Sequence, residues 1–312
     1  MFAEWNETKF ILVSLPHKYS DWNKYLEDIT LSYYNFVKTL AEYVKVVLIH
    51  HSSTDISEFK KIKNCEFFCF DTNDTWIRDY GAISTKNAYL DFKFNAWGDK
   101  FKSELDNSFN KEFFSKYFKK DLKSVDFILE GGSIDTNEEY LLTTSKCLLN
   151  DNRNKKSRYE IEQVLKQNLN IKEVIWLEHG EIKGDDTDCH IDTLARFINK
   201  DTIVYSACED ENDINYLELK KMEEELKKLP FKLIALNIPK AKYYEGRRLG
   251  CTYVNFVYAN DAIIMPSYDD ENDEINLNKL QLALPDKKII ALNSLNFVRE
   301  NGSLHCSCMN IF

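Results

Sequence analysis

Ile134-Asp135-Thr136-Asn137-Glu138-Glu139-Tyr140-Leu141-Leu142-Thr143-Thr144 is the stretch from which the fold can be read. Its polar centre, Thr136-Asn137-Glu138-Glu139, is a hairpin turn that leads into the strand Tyr140 to Thr144. Ser157-Arg158-Tyr159-Glu160 comes next, and a Ser followed at that spacing by Glu is a capping box. It starts a helix that runs to about Leu169. Glu173-Val174-Ile175-Trp176-Leu177 is the strand after it. The order is hairpin, helix, strand.

Worked outward, the same order recurs about five times, most copies roughly 50–60 residues apart, and self-similarity of that kind marks a repeat architecture. Upstream, strands Tyr80 to Ser84 and Ala88 to Phe94 are followed by a helix near 103–119 and the strand Val125 to Leu129. Downstream, the run from His190 to Ile198 pairs with Thr202 to Ser206, before a helix from Asn215 to Leu229 and the strand Phe231 to Ile238. Thr252 to Tyr258 and Ala262 to Pro266 form a hairpin, with a helix near 275–284 and the strand Lys288 to Leu292. The first copy is split. Its strand Thr8 to Leu15, helix Asp21 to Tyr43 and strand Val44 to Ile49 stand at the start of the chain, and Asn301 to Asn310 is expected to supply the missing strand. That would close a ring without an exposed edge. No linker or charge block interrupts the series, so residues 1–312 read as one domain.

Composition bounds the function. The 312 residues carry 41 Lys and Arg against 51 Asp and Glu, a net charge of −10, with 44% apolar content. An acidic chain does not attract phosphate backbones, which argues against nucleic acid; its field favours a small cation. No apolar run is long enough to span a membrane, and Met1-Phe2-Ala3-Glu4-Trp5-Asn6-Glu7 lacks the pattern of a signal peptide. A cytoplasmic protein with eight free thiols is therefore expected. Cys65, Cys69, Cys147, Cys208 and Cys251 fit strand-like or apolar runs. A zinc site from His305, Cys306 and Cys308 is conceivable, but the usual paired spacing is missing.

Polar residues gather at equivalent places in the repeat: Asp79 ahead of one hairpin, Glu130 ahead of another, His190 and Asp192 ahead of a third, and Cys306 in the closing segment. Read as a strand, His190-Ile191-Asp192 puts the imidazole and the carboxylate on one side. Leu304-His305-Cys306-Ser307-Cys308 also alternates, placing Cys306 opposite to His305. A guanidinium needs two forked carboxylate partners and an aromatic wall. Asp79 and Asp192 can be the partners and Trp76 the wall, while Arg78 reads as structural, tied to a neighbouring acid. Each residue taken alone also has a plain alternative: core packing for Trp76, a buried apolar thiol for Cys306, a solvated strand end for His190 and Asp192.

The runs Ala3-Glu4-Trp5, Asn73-Asp74-Thr75-Trp76-Ile77-Arg78-Asp79, Glu130-Gly131-Gly132-Ser133-Ile134, Leu148 to Asn154, His190 to Phe197, Tyr253-Val254-Asn255-Phe256 and Leu304-His305-Cys306 resemble the agmatine deiminase family. That family is grouped with the bacterial-type peptidyl-arginine deiminases, and the resemblance runs nearly end to end. It implies a five-bladed α/β propeller of the guanidine-modifying (pentein) superfamily, and a homodimer. It implies that Cys306 is the nucleophile, His190 the general acid and base, and Asp79 and Asp192 the grip on the guanidinium. Glu130 corresponds to a glutamate that sits against the guanidinium or the histidine, and Trp76 to a substrate-pocket tryptophan. Two positions depart from the pattern: Glu300-Asn301-Gly302-Ser303 replaces a run of glycines, and Cys189 stands where a glycine is usual.

The implied reaction is hydrolysis of agmatine to N-carbamoylputrescine and ammonia through a covalent thiouronium on Cys306, with one histidine serving as acid and then base. It needs no metal and no cofactor. Two alternatives remain at this level. One is deimination of free or peptidyl arginine, whose carboxylate would want a cation such as Arg247 or Arg248. The other is a non-catalytic guanidine-binding protein.

Overall fold

The computed structural model describes all 312 residues. The strands form five mixed sheets and one small hairpin, Tyr243–Tyr244 with Arg247–Arg248. The five sheets share one plan. An antiparallel pair comes first, then helical segments, then a strand parallel to the second member of the pair. Ile83–Ser84, Tyr89–Lys93 and Leu122–Ile128 form one such sheet. Ile134–Thr136, Tyr140–Thr144 and Glu173–Leu177 form the next. Ala195–Asn199, Thr202–Ala207 and Lys232–Asn237 follow, then Val257–Ala259, Ala262–Ser267 and Lys288–Asn293.

The split unit is completed as the sequence suggested. Cys308–Ile311 pairs antiparallel with Phe10–Ser14, in the register Phe10 to Ile311, and Val46–His50 lies parallel on the other side of Phe10–Ser14. Cys65–Cys69 adds a further parallel strand to this sheet. Phe10–Ser14 is buried along its whole length, as a central strand covered on both faces must be. Leu26–Ala41 covers it with Ile29, Tyr33, Phe36, Val37 and Leu40, one stripe of a 3.6-residue period. Ser157 and Glu160 do form the capping box of the helix Arg158–Leu169.

Several expected elements differ, among them the strand expected from Thr252, which begins only at Val257. The single helix near 103–119 is instead three short turns, Asp106–Ser108, Phe109–Phe113 and a π-turn Phe114–Phe118, ended by Lys119 at φ 52°. The cause is aromatic crowding: Phe109 packs against Phe68 and Phe70, while Phe114 and Phe118 pack against Tyr89. One straight helix face does not reach both. Residues 80–82 are not strand, because a short helix Ile77–Tyr80 precedes Ile83–Ser84. His190 to Leu194 and Leu304 to Ser307 are turns; their strands begin only at Ala195 and Cys308.

Candidate active site

These turns matter because of where they fall. In each of the five sheets, the segment just ahead of the first strand delivers a polar side chain to the same place. Asp79 comes from the helix before Ile83, Glu130 from the turn before Ile134, and His190 and Asp192 from the turn before Ala195. Asn255 comes from the loop before Val257, and Cys306 from the turn before Cys308. The three-residue turn Gly131–Ser133 lies at their meeting point. A Cβ on Gly132 would fall 2.7 Å from His190 Nδ1, 2.9 Å from Asp79 Oδ1 and 3.1 Å from Asp192 Oδ2. Only a glycine lets groups from three units converge there.

The carboxylates are held individually. Asp79 Oδ1 accepts from the Gly132 amide at 2.9 Å, and its Oδ2 accepts from Trp97 Nε1 at 2.9 Å. Glu130 Oε1 accepts from Arg153 Nε at 2.8 Å. Asp192 Oδ2 accepts from His305 Nδ1 at 2.7 Å and lies 3.8 Å from Cys306 Sγ. Asn255 flanks the same sulfur, with Nδ2 at 3.3 Å. His305 and Cys306 thus converge on one carboxylate oxygen rather than facing opposite ways, because the backbone turns between them. His190 Nδ1 is 3.7 Å from Asp79 Oδ1, too far for a direct hydrogen bond. Three buried atoms make no hydrogen bond within the protein: Asp192 Oδ1, Glu130 Oε2 and His190 Nε2. Two lone carboxylate oxygens and an imidazole nitrogen in a buried site suit a planar cation rich in N–H groups, since an unmatched buried acceptor is costly.

Electrostatics separates these groups. Burial pushes Asp79 well above the usual carboxylate range, helped by the charges of Asp192 and Glu130. Burial raises Glu130 as well, partly offset by Arg153. Burial also opposes ionisation of Asp192, but the hydrogen bond and charge of His305, with His190 and Arg196, outweigh it and hold that carboxyl below its ordinary value. Burial lowers His190 to about 3, so its ring is neutral. Burial, then Asp192 and Asp79, push the Cys306 thiol well up. At rest the sulfur is protonated.

Trp76, Asp79, Trp97, Gly302 and Cys306 line a narrow pocket with a cavity volume of about 30 Å³. Glu130, His190 and Asp192 stand behind that wall, around Gly132. Trp76 packs tightly under Gly302, where a Cβ would come within 2.3 Å of its ring. Asp21, Asp74, Asp186 and Glu300 line the outer part, and no Lys or Arg does. Arg248 pairs with Asp213 at 2.8 Å, while Arg247 donates to the pocket-lining Asn301 and to the Arg299 carbonyl, at the pocket's edge. Arg78 pairs with Glu4 at 2.7 Å.

Both ring nitrogens of His305 face carboxylates, which removes it as a zinc ligand beside Cys306 and Cys308. Ligand atoms of Glu130, Cys147 and His190 lie within 4.8 Å of one another, but Arg153 already occupies one oxygen of Glu130. Cys189 adopts φ 69°, the left-handed region that a glycine takes more easily, and its side chain belongs to an apolar cluster with Ile182 and Ile191. Asn255, Trp97 and Arg153 were not singled out from the sequence. Asn255 had a signal, since it lies in the run Tyr253-Val254-Asn255-Phe256 of the one unit to which no site residue had been assigned, but the sequence reading put it inside a strand from Thr252 that begins only at Val257.

The family model of Porphyromonas-type peptidyl-arginine deiminases matches residues 1–311. The chain is 56% identical to Campylobacter jejuni agmatine deiminase, solved as a Cys→Ser variant with substrate bound, with a TM-score of 0.98 over 100% of this chain and 95% of that one. It is 31% identical to a putative agmatine deiminase of Legionella pneumophila, covering 98% of this chain and 92% of the relative. A dimethylarginine dimethylaminohydrolase of Pseudomonas aeruginosa, only 13% identical, shares the α/β fold with a TM-score of 0.56 over 97% of this chain and 99% of the other.

Proposed function

The chain belongs to the Porphyromonas-type peptidyl-arginine deiminase family, and from that premise we infer that it is an agmatine deiminase, a hydrolase of the guanidine C–N bond. The observation that carries the choice of substrate is the pocket itself. A thiol and a buried carboxyl lie at its inner end, and carboxyl groups alone supply its ionisable outer lining. Agmatine is positive at both ends. The α-carboxylate of arginine would meet Asp21, Asp74, Asp186 and Glu300 in a lining that holds no Lys or Arg, with Lys100 and Arg247 only behind Asp186.

In the proposed reaction the guanidinium lies between Asp79 and Asp192, with Glu130 against it and Trp76 as a wall. Its charge offsets burial and the Asp192 carboxylate, which hold the Cys306 thiol protonated, and the thiol proton passes to His190. Sulfur then attacks the guanidinium carbon. His190 returns the proton to the departing ammonia, leaving a thiouronium on Cys306. A water that gives its proton to His190 attacks the same carbon, and collapse releases N-carbamoylputrescine and restores the thiol. Asn255, beside the sulfur, keeps it in line.

The five sheets are proposed to be the blades of a propeller formed by one domain, residues 1–312. No helix is long and apolar enough to cross a membrane; a cytoplasmic homodimer that supplies polyamine synthesis is the accompanying reading. Ammonia release from agmatine, arginine and a peptidyl arginine, measured side by side, tests the substrate. Strong preference for agmatine and loss of turnover in Cys306→Ser are expected. Equal or better turnover of arginine overturns the assignment.

A further inference from the structure

Glu4 lies 301 residues before His305 in sequence, yet its Oε1 accepts from His305 Nε2 at 2.8 Å. The other ring nitrogen, Nδ1, donates to Asp192 Oδ2 at 2.7 Å. An ionised carboxylate can only accept a hydrogen bond. Glu4 is ionised, because it is buried against two guanidinium groups: Arg78 Nη1 at 2.7 Å and Arg196 Nη2 at 2.5 Å. With acceptors on both sides, the ring of His305 must donate from both nitrogens and so carries a positive charge. His305, Arg78 and Arg196 thus face the ionised Glu4 and Asp192, while Asp135, which burial pushes up to about 7, pairs with Arg196 at 3.4 Å. None of Glu4, His305, Arg78, Arg196 or Asp135 lines the pocket.

We propose that Glu4 is a positioning residue for the deimination: acting through His305, it keeps Asp192 ionised, with Oδ2 tied back and Oδ1 left free for the guanidinium. The proposal rests on the deiminase reading given above. Beyond His305, the titratable and charged groups about Asp192 are His190 and Arg196 of its own segment, Asp79 and Arg78 from the helix Ile77–Tyr80, and the Cys306 thiol. His305 is the group in direct hydrogen-bond contact, so it sets the balance. Removing its charge raises the proton affinity of Asp192. Guanidinium binding, which needs the ionised carboxylate, then falls more steeply as pH falls.

Two measurements test this. Nitrogen NMR of the wild-type protein, with the ring of His305 assigned through the Cys306 amide, should show hydrogen on both ring nitrogens. One bare nitrogen overturns the proposal, and no variant has to fold for that result. In Glu4→Gln one of the two hydrogens should be lost. The second measurement is agmatine affinity against pH in Cys306→Ser. Adding His305→Gln should weaken binding and steepen the acid limb, because Asp192 then takes up a proton in addition to the one taken up by Asp79. The effects of Glu4→Gln and His305→Gln on affinity should fall short of additive, as they do for residues acting in series. An acid limb of unchanged steepness, or fully additive losses, overturns the role. If Cys306→Ser binds no agmatine at any pH, the substrate assignment fails instead, and the NMR result on the free protein still decides the state of His305.

Discussion

Asp79 and Asp192 both lie beside Gly132, yet the same burial leaves them in different states. Asp192 has a cationic partner and stays ionised; Asp79 has only neutral donors, the Trp97 indole and the Gly132 amide, and sits well above the ordinary carboxylate range. Clamping a guanidinium requires both to be charged. Binding must therefore drive a proton off Asp79, and affinity should weaken as pH falls below the value at which Asp79 ionises in the free protein. Calorimetry in buffers of different ionisation heat should register release of about one proton per agmatine bound to Cys306→Ser, and Asp79→Asn should abolish the release. Binding without proton release in the parent would remove Asp79 from this role. At this scale the sequence was informative: Asp79, Glu130, His190, Asp192, Trp76 and Cys306 all come together. Glu4 and Arg153 lie in runs that carry the family resemblance, but their roles were not legible, because a buried ion pair across a fold leaves no local spacing to read.

Among the elements, the least regular one has the clearest task. Ala96, Trp97, Gly98 and Asp99 all have positive φ, between 48° and 95°, a single left-handed turn. Such a turn costs roughly 1–2 kcal/mol per non-glycine residue. It is held by Asn95, whose Oδ1 accepts from the Gly98 amide, and by Arg153, which donates to the Trp97 carbonyl at 3.1 Å. Arg153 also holds Glu130, so one turn braces two of the carboxyl groups in the site. Trp97→Phe keeps an aromatic ring but loses the second ring of the indole and removes its N–H from Asp79. A hydrogen bond to a charged group is worth about 1.5–3 kcal/mol, so KM for agmatine should rise about tenfold or more, and the small cavity left in a buried position should lower the melting temperature as well. An unchanged KM would show that the indole only fills space. The segments that the periodicity misassigned, 80–82, 190–194 and 304–307, lie next to or within the site segments. An apolar alternation there is indistinguishable from a buried turn, and the turn is what brings His305 and Cys306 to the same oxygen.

For the molecule as a whole, the recurring hairpin, helix and strand was legible because every copy obeys the same burial rule, and the split first copy followed from counting strands. What counting could not reveal is how much rests on the closing strand. Cys308–Ile311 fills the antiparallel place beside Phe10–Ser14, and Asn310 Oδ1 accepts from Arg78 at 3.1 Å. A chain ending at Ser307 keeps every proposed catalytic group but exposes the edge of a fully buried strand. It should lose cooperative thermal unfolding and all turnover; a cooperative, active truncation would show that the sheet does not need its last strand. The pairing also carries a consequence for synthesis on the ribosome. The partner of this strand, Cys308–Ile311, is synthesised roughly 300 residues after it, so Phe10–Ser14 waits through all of that synthesis with one side uncovered. A stalled nascent chain is inert, having neither sulfur nucleophile nor finished sheet, and it offers chaperones a sticky edge by which to recognise unfinished work.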